Sequence, residues 1–205
     1  MEKVLAKKHL FFSVAGVLVI LSALLLPLSL PLFKPTKMVQ YFDVFASVTG
    51  VDFLRKDEDG IYRKLPQVYA DMLGWDEITE KTNEAWMQVS DKNSSFIFCA
   101  NYGQAGAISV IGNKYNLPEP LSFSESFQYW LPKEFENEIT ELVYVIGTDA
   151  MDSENFKDLN NFFNKRIEIA TVVNPLAIEY GTKIYLYKNP KSDFNTFWKE
   201  QIERL

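Results

Sequence analysis

From Leu10 to Phe33 the chain carries no charged residue, and beyond Phe33 apolar positions recur at strand and helix spacings. The first pattern predicts a membrane-spanning helix. At about 1.5 Å per residue, Leu10–Leu26 reaches ~26 Å and the whole stretch ~36 Å, which brackets a ~30 Å hydrocarbon core. Pro27 and Pro31 sit near its far end, where loss of helix is tolerable. A cleaved leader would have a shorter apolar run and a small-x-small site, and Pro27-Leu-Ser-Leu-Pro-Leu-Phe33 offers neither. Lys3, Lys7 and Lys8 precede the stretch and Lys34 and Lys37 follow it, a small bias toward an inside N-terminus. The expectation is a single-pass protein of the cytoplasmic membrane: an inner tail 1–9, a span 10–33, a connector 34–65 and an extracytoplasmic domain 66–205.

In the connector, Val51-Asp-Phe-Leu54 and Ile61-Tyr-Arg-Lys64 flank an acidic turn and predict a hairpin at Asp59-Gly60. That turn lacks the alternating Asp spacing of a calcium loop. Pro66 suits the start and Gly74 the close of a short helix Gln67–Leu73. Trp75, Ile78, Thr82, Ala85, Trp86 and Val89 then fall three and four apart and predict a second helix with one apolar stripe. From Ser94 onward strands and helices alternate. Phe96–Ala100 and Leu142–Ile146 are continuous apolar runs, as strands covered on both faces require. Between them, Gln104–Ile111 reads as a helix. Phe156, Leu159 and Phe163 predict a helix after an Asp152-Ser153 cap. Ile167–Val173 and Ile184–Tyr187 read as strands, and Phe194, Phe197, Trp198, Ile202 and Leu205 as the stripe of a closing helix. This alternation predicts an α/β class fold: one N-terminal transmembrane helix, then a layered α/β domain with a largely parallel sheet.

Charge narrows the partners. The 205 residues sum to −6, and residues 1–37 hold five lysines and one glutamate, leaving −10 on 38–205. Nothing there attracts a nucleic-acid backbone, so the lipid bilayer is expected as a partner and nucleic acid is not. His9, the sole histidine, precedes the apolar stretch, which excludes histidine-based triads and histidine-ligated zinc from the domain. Cys99 is the sole cysteine and lies among Phe96, Ile97 and Phe98, so it reads as a buried structural thiol.

The segment with the most chemistry is Asn101-Tyr-Gly-Gln-Ala-Gly-Ala107. It follows a strand and opens a helix, the position outside the carboxyl ends of strands where α/β proteins bind ligands. Gly103 permits a tight turn, Asn101 and Gln104 offer side-chain donors, and Tyr102 offers a face for a sugar. Gly106 is expected to let the helix approach the sheet. The spacing is neither a dinucleotide fingerprint nor a phosphate loop. On residue chemistry alone, a purely structural strand-to-helix turn competes with a site here. Ser122-Phe-Ser-Glu-Ser-Phe-Gln-Tyr-Trp-Leu-Pro132, rich in hydroxyls and rings, is the second candidate, with Ser122 and Trp130 as contacts. A cover over the core edge is its equal alternative. No cofactor, metal or catalytic residue is assigned.

Leu65-Pro-Gln-Val-Tyr-Ala-Asp-Met-Leu-Gly-Trp75, Asn101–Ala107 and Tyr115-Asn-Leu-Pro118 resemble the C-terminal region of bacterial membrane glycosyltransferases. The family is that of protein O-mannosyltransferases and aminoarabinose transferases, which use polyprenyl-phosphate sugars. Asn174, Glu179-Tyr-Gly-Thr-Lys-Ile-Tyr-Leu186 and the apolar helix ending Leu-Pro-Leu-Ser-Leu-Pro are similar to the same region. The resemblance implies an extracytoplasmic transferase domain acting with a multi-span glycosyltransferase subunit. The departures are equally definite. Family members cross the membrane many times and carry their catalytic carboxylate in the first extracytoplasmic loop. Here Asp43 and Asp52 follow the span but match no such loop, and Phe123-Ser124 stands where some relatives have Gly-His. The expected function is therefore a non-catalytic domain or accessory subunit. The alternative is a stand-alone module binding glycan or lipid phosphate. A hydrolase using Glu125 and Glu179 is the weakest reading, since nothing in their spacing makes a catalytic pair.

Overall fold

The computed structural model describes residues 2–58 and 60–205, with side chains from Leu10 onward. The side chains of Lys3, Lys7, Lys8 and His9, and the expected turn residue Asp59, lie outside the described residues. Backbone contacts divide the chain into two units, residues 1–70 and 71–205.

The first unit begins with helix α1, Glu2–Leu25. The stretch Leu10–Leu28 is long and apolar enough to cross a membrane, with mean hydropathy 2.5, and almost none of it is buried by protein. The regular helix stops before Pro27, which has no N–H to continue the ladder, and a single 3-10 turn Leu26–Leu28 follows. Helix α2, Pro35–Thr49, occupies a stretch expected to be connector. Pro35 sets its first turn, and Gly50 closes it at φ 72°, a left-handed conformation glycine adopts without strain. Met38 and Phe42, one turn apart, are its buried residues, and Phe42 packs on Tyr69 with ring centroids 5.7 Å apart. Beyond α2, Arg55 pairs with Asp43 and Asp52 at 2.6 Å each. An antiparallel bridge Lys56↔Tyr62 gives the expected reversal, though only one residue pair long. Helix α3 covers Gln67–Ala70 and is shorter than expected.

In the second unit Gly74 begins a helix instead of closing one: at φ 94° it caps α4, Trp75–Trp86. The remaining elements are β1 Ser95–Cys99, α5 Tyr102–Ile111, β2 Glu141–Ile146, α6 Glu154–Phe162, β3 Phe163–Thr171, β4 Lys183–Pro190 and α7 Phe194–Ile202. Asn101, Ser153 and Asp193 cap α5, α6 and α7, each side chain accepting a backbone N–H three residues on. Phe163, expected on the helical stripe of α6, is instead the first residue of β3, where it pairs with Pro190. Leu205 lies past the end of α7 and is exposed.

The four strands lie in the order β1-β2-β4-β3. β1 and β2 are parallel, whereas β4 runs antiparallel to both neighbours, β2 and β3. The sheet is mixed, which corrects the expectation of a largely parallel one. The cause is the β3–β4 connection. Residues 172–182 contain no helix, and a parallel return needs a crossover of about a dozen residues or more, so β4 must turn back beside β3.

Strand alternation sorts the core into two layers. Ile97, Cys99, Val143, Val145, Ile184 and Leu186 face Ile78, Ala85 and Trp86 of α4 and Ala105 and Ile108 of α5. The intervening residues Phe96, Phe98, Leu142, Tyr144, Tyr185 and Tyr187 face Phe156 and Leu159 of α6 and Phe194 and Trp198 of α7. Helices therefore cover both faces, which explains why β1 and β2 are apolar without interruption. Each large side chain so buried contributes roughly 1.5–3 kcal/mol.

Candidate functional site

β1, β2 and β3 end at one edge of the sheet, and β4 starts there, with Lys183 opposite both Ile146 and Thr171. Three connections meet at this edge: the β1–α5 turn, the segment after β2 and the β3–β4 loop. The first and third of these are tied together by the carboxylate of Glu179. It accepts hydrogen bonds from Asn101 Nδ2 at 3.0 Å, Gln104 Nε2 at 2.8 Å and Thr182 Oγ1 at 2.6 Å. Asn101 serves twice, because its Oδ1 also accepts the Gln104 N–H at 2.8 Å and starts α5.

Gln104 is fully buried, and its Oε1 is the one buried side-chain polar atom without a hydrogen-bond partner among the described residues. Glu179 is half-buried and Thr182 buried. The Cys99 thiol lies fully buried nearby. Burial pushes its pKa well up, and the Glu179 charge pushes it further, so the thiol stays protonated and inert.

The β3–β4 loop is held from a second direction. Glu77 of α4 accepts the N–H groups of Val173 at 2.8 Å and Asn174 at 3.2 Å, and Asn174 Oδ1 accepts the Leu176 N–H. A Cβ on Gly74 would lie 2.8 Å from the Ala177 Cβ, so the start of α4 and this loop touch backbone to side chain. Asn174, singled out by the resemblance, is thus a loop-closing residue.

Gly103 serves close approach: a Cβ there would sit 3.0 Å from the Trp75 ring and 3.3 Å from Asn101 Oδ1. Gly106 does not. A Cβ on it would meet nothing within 4 Å, and α5 is seated on the sheet by Ala105 and Ile108 instead. Tyr102 points outward and is exposed, as is Tyr180 beside Glu179.

Ser122 and Trp130 belong to a different strip. Leu121 pairs with Phe98 along the outer edge of β1, where the Leu121 N–H donates to Ile97 O and its carbonyl accepts the Cys99 N–H. Ser122 is consequently buried, and its Oγ accepts the Ser124 N–H. It faces inward. The following 3-10 helix, Glu125–Trp130, packs on α5 through this strip, with Phe127 against the core and Trp130 edge-on to Phe127 at 5.8 Å. Tyr129, 81 % exposed, and Trp130 face solvent.

The structure therefore joins Asn101, Gly103 and Gln104 in one hydrogen-bonded turn, leaves Tyr102 at its lip, and sets Ser122 and Trp130 on the neighbouring edge. Sequence reasoning missed Thr182 and Glu77, which hold the opposing loop. The signal for Thr182 was Gly181 before it, a loop glycine at φ 89° where Cβ-bearing residues are strained. Glu77 carried no local signal. Cavities on the opposite face, between α6 and α7, are lined by none of the candidate residues. Among the described residues no cluster of three His, Cys, Asp or Glu side chains is placed to hold a metal ion.

No family model, curated protein or solved structure matches the chain.

Proposed function

We propose that the chain is a membrane-anchored, extracytoplasmic domain of, or accessory subunit to, a polyprenyl-phosphate-sugar glycosyltransferase, and that it binds without catalysing. The observation that carries this reading is the position of Asn101–Ala107. The string resembling that family sits at the carboxyl ends of the parallel pair β1 and β2, the place where α/β domains take ligands. The carboxylate at that turn is committed to three donors, which suits positioning and not proton transfer. The apolar helix α1 supplies the anchor.

The test uses the full chain in lipid nanodiscs, titrated by calorimetry with polyprenyl phosphate and with soluble oligosaccharides. Binding that Tyr102→Ala weakens at least tenfold, about 1.4 kcal/mol, supports the reading. Turnover of a polyprenyl-phosphate sugar by the purified chain alone overturns the non-catalytic role, and absence of binding to either ligand overturns the site. Tandem purification addresses the partner: a multi-span protein retained with the chain is expected.

One observation favours the alternative of a stand-alone glycan-binding module. Tyr102, Tyr129, Trp130 and Tyr180 are all exposed, and aromatic faces of this kind stack on sugar rings. Oligosaccharide affinity that is unchanged when every other membrane protein is removed separates this reading from the first.

A further inference from the structure

The first unit holds a surface that the sheet-edge site does not use. Two tyrosines fasten the end of α1. Tyr41 of α2 donates its hydroxyl to the Leu24 carbonyl at 2.5 Å, and Tyr69 of α3 donates to the Pro27 carbonyl at 2.8 Å. The last carbonyls of a helix lack intrahelical donors, and in an apolar setting each needs another partner. These bonds supply two partners, one holding α2 and the other α3 against the exit of α1.

α2 is more apolar than its contacts within the unit require. Met38 and Phe42 are buried, which uses one side of the helix. At 100° per residue, Lys37, Tyr41, Val44 and Val48 form the adjoining stripe, while Thr36, Gln40, Asp43 and Ser47 form the polar side. Val44 is 62 % exposed and Val48 79 % exposed, and Phe45 stacks on Tyr41 at 6.3 Å beside them. The one acid of the helix, Asp43, is on the polar side and bound by Arg55.

We propose that α2 is an interfacial helix whose Tyr41, Val44, Phe45 and Val48 flank lies in the headgroup and upper acyl region of the bilayer. This rests on the reading that α1 spans that bilayer. Lipid is the occupant for two reasons. Between α1 and α2 the chain itself is apolar and exposed at Leu30, Leu32 and Phe33, as α1 is along its length. The leading end of α2 also carries Lys34 and Lys37, whose ammonium groups meet lipid phosphates while their stems cover apolar surface. An amphipathic helix with lysine and aromatic residues at its boundary lies in the membrane plane and does not cross it. The consequence is a rigid footing: α1, α2 and α3 join at the membrane surface, so the chain leaves the bilayer from a fixed point at the end of α3.

The experiment attaches an environment-sensitive fluorophore to the full chain at Val48→Cys, at Ser47→Cys on the polar side and at Leu18→Cys within α1. Native Cys99 is fully buried and stays unlabelled while the chain is folded. The chains are reconstituted in phosphatidylcholine–phosphatidylglycerol vesicles containing lipids spin-labelled at the headgroup or deep in the acyl chain. The expected result is deep-label quenching at Leu18, headgroup-label quenching at Val48 several-fold stronger than at Ser47, and little at Ser47. Quenching at Leu18 with none at Val48 overturns the inference while leaving the span intact. A dry, blue-shifted Val48 probe that neither lipid label quenches means protein covers the flank, and that also overturns it. Absence of quenching at Leu18 removes the span, and the inference with it.

Discussion

Glu179 ties the β3–β4 loop to the β1–α5 turn, and removing it should loosen this end of the sheet more than loss of a typical surface carboxylate would. Its side chain accepts one hydrogen bond each from Asn101, Gln104 and Thr182. Hydrogen bonds to a charged acceptor contribute roughly 1.5–3 kcal/mol each, and a buried donor left unpaired costs about 1–3 kcal/mol. The Gln104 amide is wholly enclosed, so it feels that cost in full. Water entering at half-buried Glu179 relieves part of the rest. The balance for Glu179→Ala is a loss of about 3 kcal/mol, well above the typical surface substitution. Glu179→Gln keeps the shape and one acceptor oxygen but turns an amide toward a donor, for a loss of about 1–2 kcal/mol. Denaturant unfolding of the full chain in mild detergent, followed by tryptophan fluorescence, gives both numbers. A double-mutant cycle with Gln104→Leu should return a coupling of about 1 kcal/mol or more, since the two side chains bond directly at 2.8 Å. Glu179→Ala within about 0.5 kcal/mol of the parent chain would refute the network as an organising contact.

Glycine substitutions should split by position: Gly106→Ala, with open space above it in a helix interior, is expected to stabilise by up to about 1 kcal/mol, whereas Gly74→Ala, at φ 94° and 2.8 Å from Ala177, should destabilise by more than that. The same unfolding curves decide it, and a destabilising Gly106→Ala would mean that α5 is packed more tightly than described. For Glu141, burial alone would raise the pKa, but the bonds from Lys188 and from the Ser90 N–H and hydroxyl outweigh it and leave the pKa lowered. A carboxyl lowered by folding adds stability above its unfolded pKa and loses it as pH falls, so stability should decline from about pH 5 downward, and Glu141→Gln should flatten that decline. Cys99, buried with a raised pKa, should react with iodoacetamide only at the rate of unfolding, and rapid alkylation under native conditions would contradict its placement.

Much of the second unit was legible because burial leaves a periodic trace. β1 and β2 read as unbroken apolar runs since helices cover both their faces, and α4 read as a stripe since only one side of it meets the sheet. Strand direction left no such trace. Ile184–Tyr187 is recognisable as a strand, yet its reversal depends on the lack of a crossover helix after β3, a fact about the intervening loop. α2 leaves a weaker trace even though Pro35 and Gly50 bound it, because Val44 and Val48 sit outside the Met38–Phe42 line and blur the period. Phe163 continued the helical spacing of α6 while its backbone had already turned to pair with Pro190. The candidate turn was visible as a run of chemistry, but its partner was not: Gln104 and Glu179 lie 75 residues apart, and only the fold brings them together. Ser122 shows the converse, since a hydroxyl-rich strip looks available in sequence until pairing along the β1 edge turns one of its members inward.

The antiparallel insertion of β4 also determines what kind of site this edge can be. In a wholly parallel sheet the carboxyl ends of neighbouring strands leave a crevice between their outgoing loops. Here β4 enters at that end, so the β3–β4 loop crosses it and lays Glu179 and Thr182 against the first turn of α5. Asn101 and Gln104, the donors that a ligand would otherwise meet at the base of the crevice, are already bonded to protein. Tyr102 of α5 and Tyr180 of the β3–β4 loop remain exposed. If the proposed site binds, recognition at this edge would fall to exposed aromatic faces, a geometry that suits a flat sugar ring better than an enclosed phosphate. Of the two ligand classes proposed, the glycan should bind here and a bare polyprenyl phosphate should depend on the first unit.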